Sequence, residues 1–158
     1  MAPSPVLVQL FDQILEGKDI PTAEGVLRVK REDAEAELPP LPYSLLVNLA
    51  HAVHWQDLWL NQLEGKPNPP IQEVWRNDWR RPDASEYPAL RKRFVEGLRR
   101  ARALAGEEFA SHRCESDEKA AEVLLRIAIH ASYHIGQMNV LKRALRNKQR
   151  PDRRTHAT

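Results

Sequence analysis

The residues whose type and spacing suit chemistry best are two histidines four apart, in His130-Ala-Ser-Tyr-His134. On a helix, residues at that separation are neighbours with β-carbons about 5–6 Å apart. Two imidazoles so placed can close on one ion with metal–nitrogen bonds of about 2.0–2.1 Å. They share a helical stripe with Val123, Ile127, Met138, Leu141 and Leu145, with Gln137 beside Met138. That stripe is otherwise apolar. A bare pair of this kind is more often two hydrogen-bonded core histidines than a metal site, and a third ligand would change the balance.

A second helix offers that third ligand. Ser44 stands where an N-cap should stand, after the stiff Pro39-Pro40-Leu41-Pro42-Tyr43 approach, for which an extended conformation is expected. From Leu45 the pattern puts Val47, His51, His54 and Leu58 in one row, and Gly65, Pro67 and Pro69-Pro70 stop it. Packed against the helix of His130 and His134, this one brings a third or a fourth imidazole to the pair. Asp57, one turn beyond His54, reads either as a carboxylate supporting an imidazole or as an exposed helix acid.

The remaining elements have to hold these two helices together. Ser4 and Pro5 cap and open a first helix carrying Leu7, Leu10, Phe11 and Ile14, which Gly17 ends. Residues 22–37 read as a charged connector with one or two helical turns. Residues 71–88 hold no persistent helical period. Trp75 and Trp79 within them read either as aromatic anchors of a loop or as a lid over a pocket. Leu90, Phe94, Leu98, Ala101 and Leu104 define a third long helix starting near Ala84 and ending near Gly106, and Ser116-Asp117-Glu118 caps the last one. Four sizeable helices and no convincing strand make an all-α helix bundle the economical architecture, and bundles build metal sites from side chains on facing helices.

At 158 residues, 42% apolar and 29% charged, the chain is expected to form one soluble domain over residues 1–148, with a basic tail over 149–158. The net charge of +2 conceals an asymmetry. Seven of the 24 lysines and arginines lie between Lys142 and Arg154 beside one of the 22 acids, Asp152, so the rest of the chain is net acidic. With no aromatic residue among those charges, the tail reads as the cationic end of a helix and a solvated terminus rather than as a phosphate-binding segment. Nothing approaches the roughly 20 apolar residues of a membrane span, and the N-terminus lacks the order of a signal peptide, so a cytoplasmic address is expected. Cys114 is the single cysteine, which leaves no internal disulfide and no thiolate zinc cluster; any metal must be held by nitrogen and oxygen.

The combination of Pro42-Tyr43-Ser44, His51 seven residues after the serine, Trp75 and Trp79, and His130-Ala-Ser-Tyr-His134-Ile-Gly-Gln137 resembles the DinB/YfiT-like family of four-helix metalloproteins. The resemblance implies a four-helix bundle, a homodimer, and a divalent ion held by His51, His130 and His134. Nickel or zinc comes first, with iron or manganese as alternatives. It favours His51 over His54 as the ligand, and leaves His54 as a supporting or core histidine; His112 and His156 lie outside the motifs and receive no role. Gly136 would allow close approach of another helix or a dimer partner, Gln137 would orient a ligand or bond another helix, and Tyr133 would pack.

Three neutral imidazoles leave an ion its full charge and an open position. A metal-bound water or a substrate thiol can then serve as nucleophile, with no catalytic side chain singled out. The resemblance thus implies a metal-dependent enzyme of detoxification or stress type. It would be a transferase using a small thiol such as bacillithiol or mycothiol, or a hydrolase, acting on a small electrophile. The alternative is a non-enzymatic dimeric bundle with a structural or vestigial ion acting through a partner. Neither membrane nor nucleic acid is an expected partner.

Overall fold

A computed structural model of the chain describes residues 4–106 and 112–149. His156 and the tail from residue 150 lie outside the described residues, as do residues 1–3 and 107–111. Among the described residues seven α-helices follow one another: α1 (Pro5–Glu16), α2 (Ala23–Val26), α3 (Arg31–Glu35), α4 (Leu45–Glu64), α5 (Ile71–Asn77), α6 (Tyr87–Ala105) and α7 (Asp117–Gln149). Among the described residues there is no strand, and the protein is all-α.

The helix ends follow from local chemistry. The Ser4 hydroxyl accepts from Leu7 N–H and Gly17 closes α1 at φ 74°. The Ser44 hydroxyl accepts from Val47 N–H and Gly65 closes α4 at φ 67°. Both glycines hold left-handed backbone that a side chain would strain. Lys119 N–H donates to the Ser116 hydroxyl at the start of α7. The connector after α1 holds two short helices, as its charged and sparsely apolar sequence suggests.

Two expectations fail locally. Pro39–Pro42 is not simply extended: the Pro39–Pro40 peptide is cis and Leu41 N–H donates to Leu38 C=O at 2.8 Å, making a turn. Residues 71–88, expected to lack helix, contain α5 and a single 3₁₀ turn at Ala84–Glu86 leading into α6. Helix α5 buries only Val74, and one buried residue in seven sets no period that a sequence pattern can display.

The four long helices pack on one another, α4 against α7 and α6, and α1 against α6 and α7. Phe11, Leu49, Leu63, Phe94, Leu98, Leu104, Leu124 and Ile127 fill the common core. Leu45 through Val53 of α4 are buried without a break, because α3, α6 and α7 all pack on α4 and aromatic and carboxylate groups from the end of α5 reach its His51 and Trp55. A polar side chain in that half of α4 must therefore find its partners inside the protein.

Candidate metal centre

His51 projects from the buried half of α4 towards α7, where the four-residue spacing of His130 and His134 presents both rings on the facing side. The three Nε2 atoms meet. His130 Nε2 lies 3.3 Å from His51 Nε2 and 3.1 Å from His134 Nε2. His51 and His134 are buried and His130 is half-buried, the nearest of the three to solvent.

The far ring nitrogens of two of them are anchored. Asp78 Oδ1 stands 2.5 Å from His51 Nδ1 and also accepts from Trp55 Nε1–H at 3.1 Å. A carboxylate only accepts, so His51 carries its proton on Nδ1 and turns the Nε2 lone pair inward. His134 Nδ1–H donates to Asn48 Oδ1 at 3.1 Å, and Asn48 Nδ2 donates to Gln137 Oε1 at 2.8 Å. His134 is thereby fixed in the same tautomer. Carboxylate or amide partners on the outer nitrogen are the usual means of aiming an imidazole at a metal.

Two inward lone pairs and one further nitrogen now share a small space. His130 Nε2 carries at most one proton, which satisfies one neighbour and leaves the other lone pair facing nitrogen. A shared cation removes that conflict, and the two distances from His130 suit one: ligand atoms about 2.0–2.1 Å from an ion stand about 2.9 Å apart at a right angle and about 3.3 Å apart at the tetrahedral angle, while the three donor atoms together lie within 4.8 Å of one another. Burial pushes the His130 ring down to about 3 and that of His134 to about 4, with the neighbouring imidazoles adding to the shift. His51 is lowered as well by burial, against the opposing pull of Asp78. All three rings are neutral at pH 7, the state in which imidazole binds a cation. The three could hold a metal ion, and no other His, Cys, Asp or Glu joins the group among the described residues.

Aromatic rings wall the cluster. Trp79 stacks on His51 with centroids 3.8 Å apart and an interplanar angle of 16°, and Tyr43 stacks on Trp79 at 4.8 Å. Trp59 and Tyr133 present edges to His130 and His134 at 5.1 Å. Trp79 has φ 52°, a left-handed conformation costing an aromatic residue on the order of 1–3 kcal/mol. The segment beyond it is pinned by the fork of Arg80 on Glu86 at 2.9 and 2.6 Å and by Arg81 on Glu37 at 2.6 Å. Trp75, the other aromatic of this segment, touches Trp55 edge-on and contacts none of the three histidines.

His54 turns away: its Nε2 lies 3.0 Å from the Val74 carbonyl, to which it donates, and it takes no part in the cluster. Asp57 pairs with Arg93 on α6 rather than with an imidazole. The carboxylate that supports a histidine is Asp78, 27 residues from His51 in sequence, and no spacing in the chain announces it. Asn48 did leave a signal, a polar residue one turn before His51 in an otherwise apolar row. His112 lies apart from the site, against Asp117.

No helix of the described residues is long and apolar enough to cross a membrane. Searches of curated proteins and of solved structures found no match to this chain. The family model of the DinB superfamily matches residues 20–138, a span that holds the Pro42-Tyr43-Ser44 turn, Asp78 and Trp79, and all three clustered histidines. The chain belongs to the DinB superfamily.

Proposed function

We propose that this protein is a metal-dependent enzyme in which His51, His130 and His134 hold a divalent ion, nickel or zinc, in an open site acting on a small electrophile. The observation that carries the reading is the convergence of three neutral Nε2 donors with no fourth protein donor joining them among the described residues. Structural zinc sites usually close their tetrahedron with protein, whereas sites that do chemistry keep a position free. The turned-away His54 favours the second kind.

When bound, the ion supplies Lewis acidity that makes a water or a small thiol a nucleophile near neutral pH. The chain supplies the rest. Asp78 holds the His51 ring in one tautomer and stabilises positive charge drawn towards it, and the Asn48–Gln137 pair does the same for His134 without a formal charge. Trp79 and Trp59 restrict water around the rings, and His130, the half-buried member, marks the side from which a substrate enters.

The test is activity of the metal-loaded protein with a low-molecular-weight thiol and an activated aryl halide, followed as thiol loss, beside hydrolysis of an activated ester. One of the two proceeds in the wild type and is lost in His130→Ala. Equal rates in wild type and variant on both would support instead a dimeric bundle with a structural or vestigial ion.

A further inference from the structure

The four tryptophans of the chain divide into two groups. Trp79 covers the His51 ring. The other three form a continuous strip that starts at His130: its ring meets Trp59 edge-on at 5.1 Å, Trp59 lies 5.7 Å from Trp55, and Trp55 meets Trp75 edge-on at 5.7 Å. Those are separations at which aromatic rings attract one another. Trp55 and Trp59 stand one turn apart on α4 and are half-buried, while Trp75 comes from α5.

Packing within the chain accounts for little of this arrangement. Helix α5 buries Val74 alone and leaves Trp75 and Ile71, one turn earlier on the same side, exposed at 60% and 56%. Apolar groups gathered beside a site and left open to solvent mark a surface that a ligand covers. The elements that meet here also bring little charge. Between Leu45 and Leu63, α4 has one charged residue, Asp57, which turns to Arg93. Helix α7 has none from Ile127 to Leu141, and Arg126, one turn before His130, is bound to Glu122 at 2.6 Å. Asp78, which Trp55 meets, is shared with His51. Glu73 and Arg76 of α5 lie off the Ile71 and Trp75 side. A ligand on these rings meets flat apolar faces and no ionic partner from α4 or α7, which favours a planar, uncharged molecule over a charged or a saturated one.

Resting on the metal-dependent reading above, we propose that Trp59, Trp55 and Trp75 bind the aromatic ring of the substrate, so that the small electrophile of this site is an uncharged, planar aromatic compound. A ring lying on Trp59 stands next to His130, the clustered histidine nearest solvent, and Trp75 holds its far end. The strip supplies affinity and orientation and takes no part in bond making, so it binds with or without the ion.

The test is binding of nitrobenzene, which is planar and uncharged and carries no leaving group, to metal-free and metal-loaded protein. It is followed by nuclear magnetic resonance of the four indole N–H groups, assigned by replacing each tryptophan singly with phenylalanine. The Trp55, Trp59 and Trp75 signals shift in both forms with one-to-one saturation. Nitrocyclohexane, saturated and of similar size, and 4-nitrobenzoate, charged, bind more weakly by about 5-fold or more. Trp75→Leu weakens nitrobenzene binding by about 2–10-fold and keeps helicity and metal uptake, since Trp75 is exposed and contacts none of the three histidines. Unmoved strip signals, equal binding of nitrocyclohexane, or a Trp75→Leu variant that binds as the wild type does would overturn the proposal, whether or not the loaded protein turns over an aryl halide. Strip signals that move with protein concentration alone would mean that a second copy covers the rings, and would overturn it too. Selective binding in a protein that shows no turnover supports the strip as an aromatic site and counts against the enzyme reading instead.

Discussion

Two faces of α7 reverse the order expected of a surface helix. The face turned to α4 carries His130 and His134, whereas the face turned to solvent carries Leu125, Ile129, Tyr133 and Val140. On the inner face the polar groups are reconciled with burial by partners drawn from elsewhere: Asn48 for His134, and His51, aligned by Asp78, for His130. On the outer face nothing among the described residues covers the apolar groups. Each departure from hydrophobic-inside, polar-outside patterning sets that face apart from the packed core, and on the reading proposed above an ion completes the inner one.

The comparison breaks most strongly at the inner face. His134→Ala removes one of three donors and leaves Asn48 without its proton donor, and metal affinity by chelator competition falls by at least about 100-fold. Asp78→Ala keeps every donor but frees the His51 ring. The same competition then shows a loss of about 10–100-fold with helicity unchanged; an unchanged affinity would mean that packing against Trp79 alone orients His51. Asn48→Leu leaves His134 Nδ1–H and Gln137 Oε1 without buried partners, and chemical denaturation of the metal-free protein registers about 1–3 kcal/mol of lost stability.

Acid sharpens the contrast. His130 and His134 titrate near 3 and 4 when folded against 6.5 in the unfolded chain, so between those values the unfolded state binds more protons and stability falls as pH falls. Metal-free protein is therefore less stable at pH 5 than at pH 7.5, and a His130→Gln, His134→Gln double variant loses part of that dependence. A pH-independent denaturation midpoint over this range would contradict the burial of neutral rings. The smallest effect belongs to the outer face, where Ile129, 68% exposed, can be changed to lysine (Ile129→Lys) with a change in stability by chemical denaturation of no more than about 0.5 kcal/mol.

Much of this was written in local sequence. Ser4, Ser44 and Ser116, with Gly17 and Gly65, announce helix ends because capping is a matter of a few adjacent residues. The His130 and His134 pairing follows from the helical repeat, and His51 shows as a polar group in an apolar row. Asp78 does not show, since a contact across 27 residues through a short helix with one buried side chain has no periodicity to reveal it. Nor does the left-handed backbone of Trp79, which a sequence pattern would assign to glycine. His54 and Asp57 carried the right types at suggestive spacing, but α4 turns them towards Val74 and Arg93. The outer stripe was not legible, because exposure is a property of the packed helices.

Metal content tests the central claim most directly, by elemental mass spectrometry on untagged protein after reconstitution with nickel or zinc. The account predicts about one ion per chain in the wild type and in His54→Ala, and none in His51→Ala or His130→Ala. A wild type that retains no ion, or a His54→Ala variant that loses it as the others do, would contradict it.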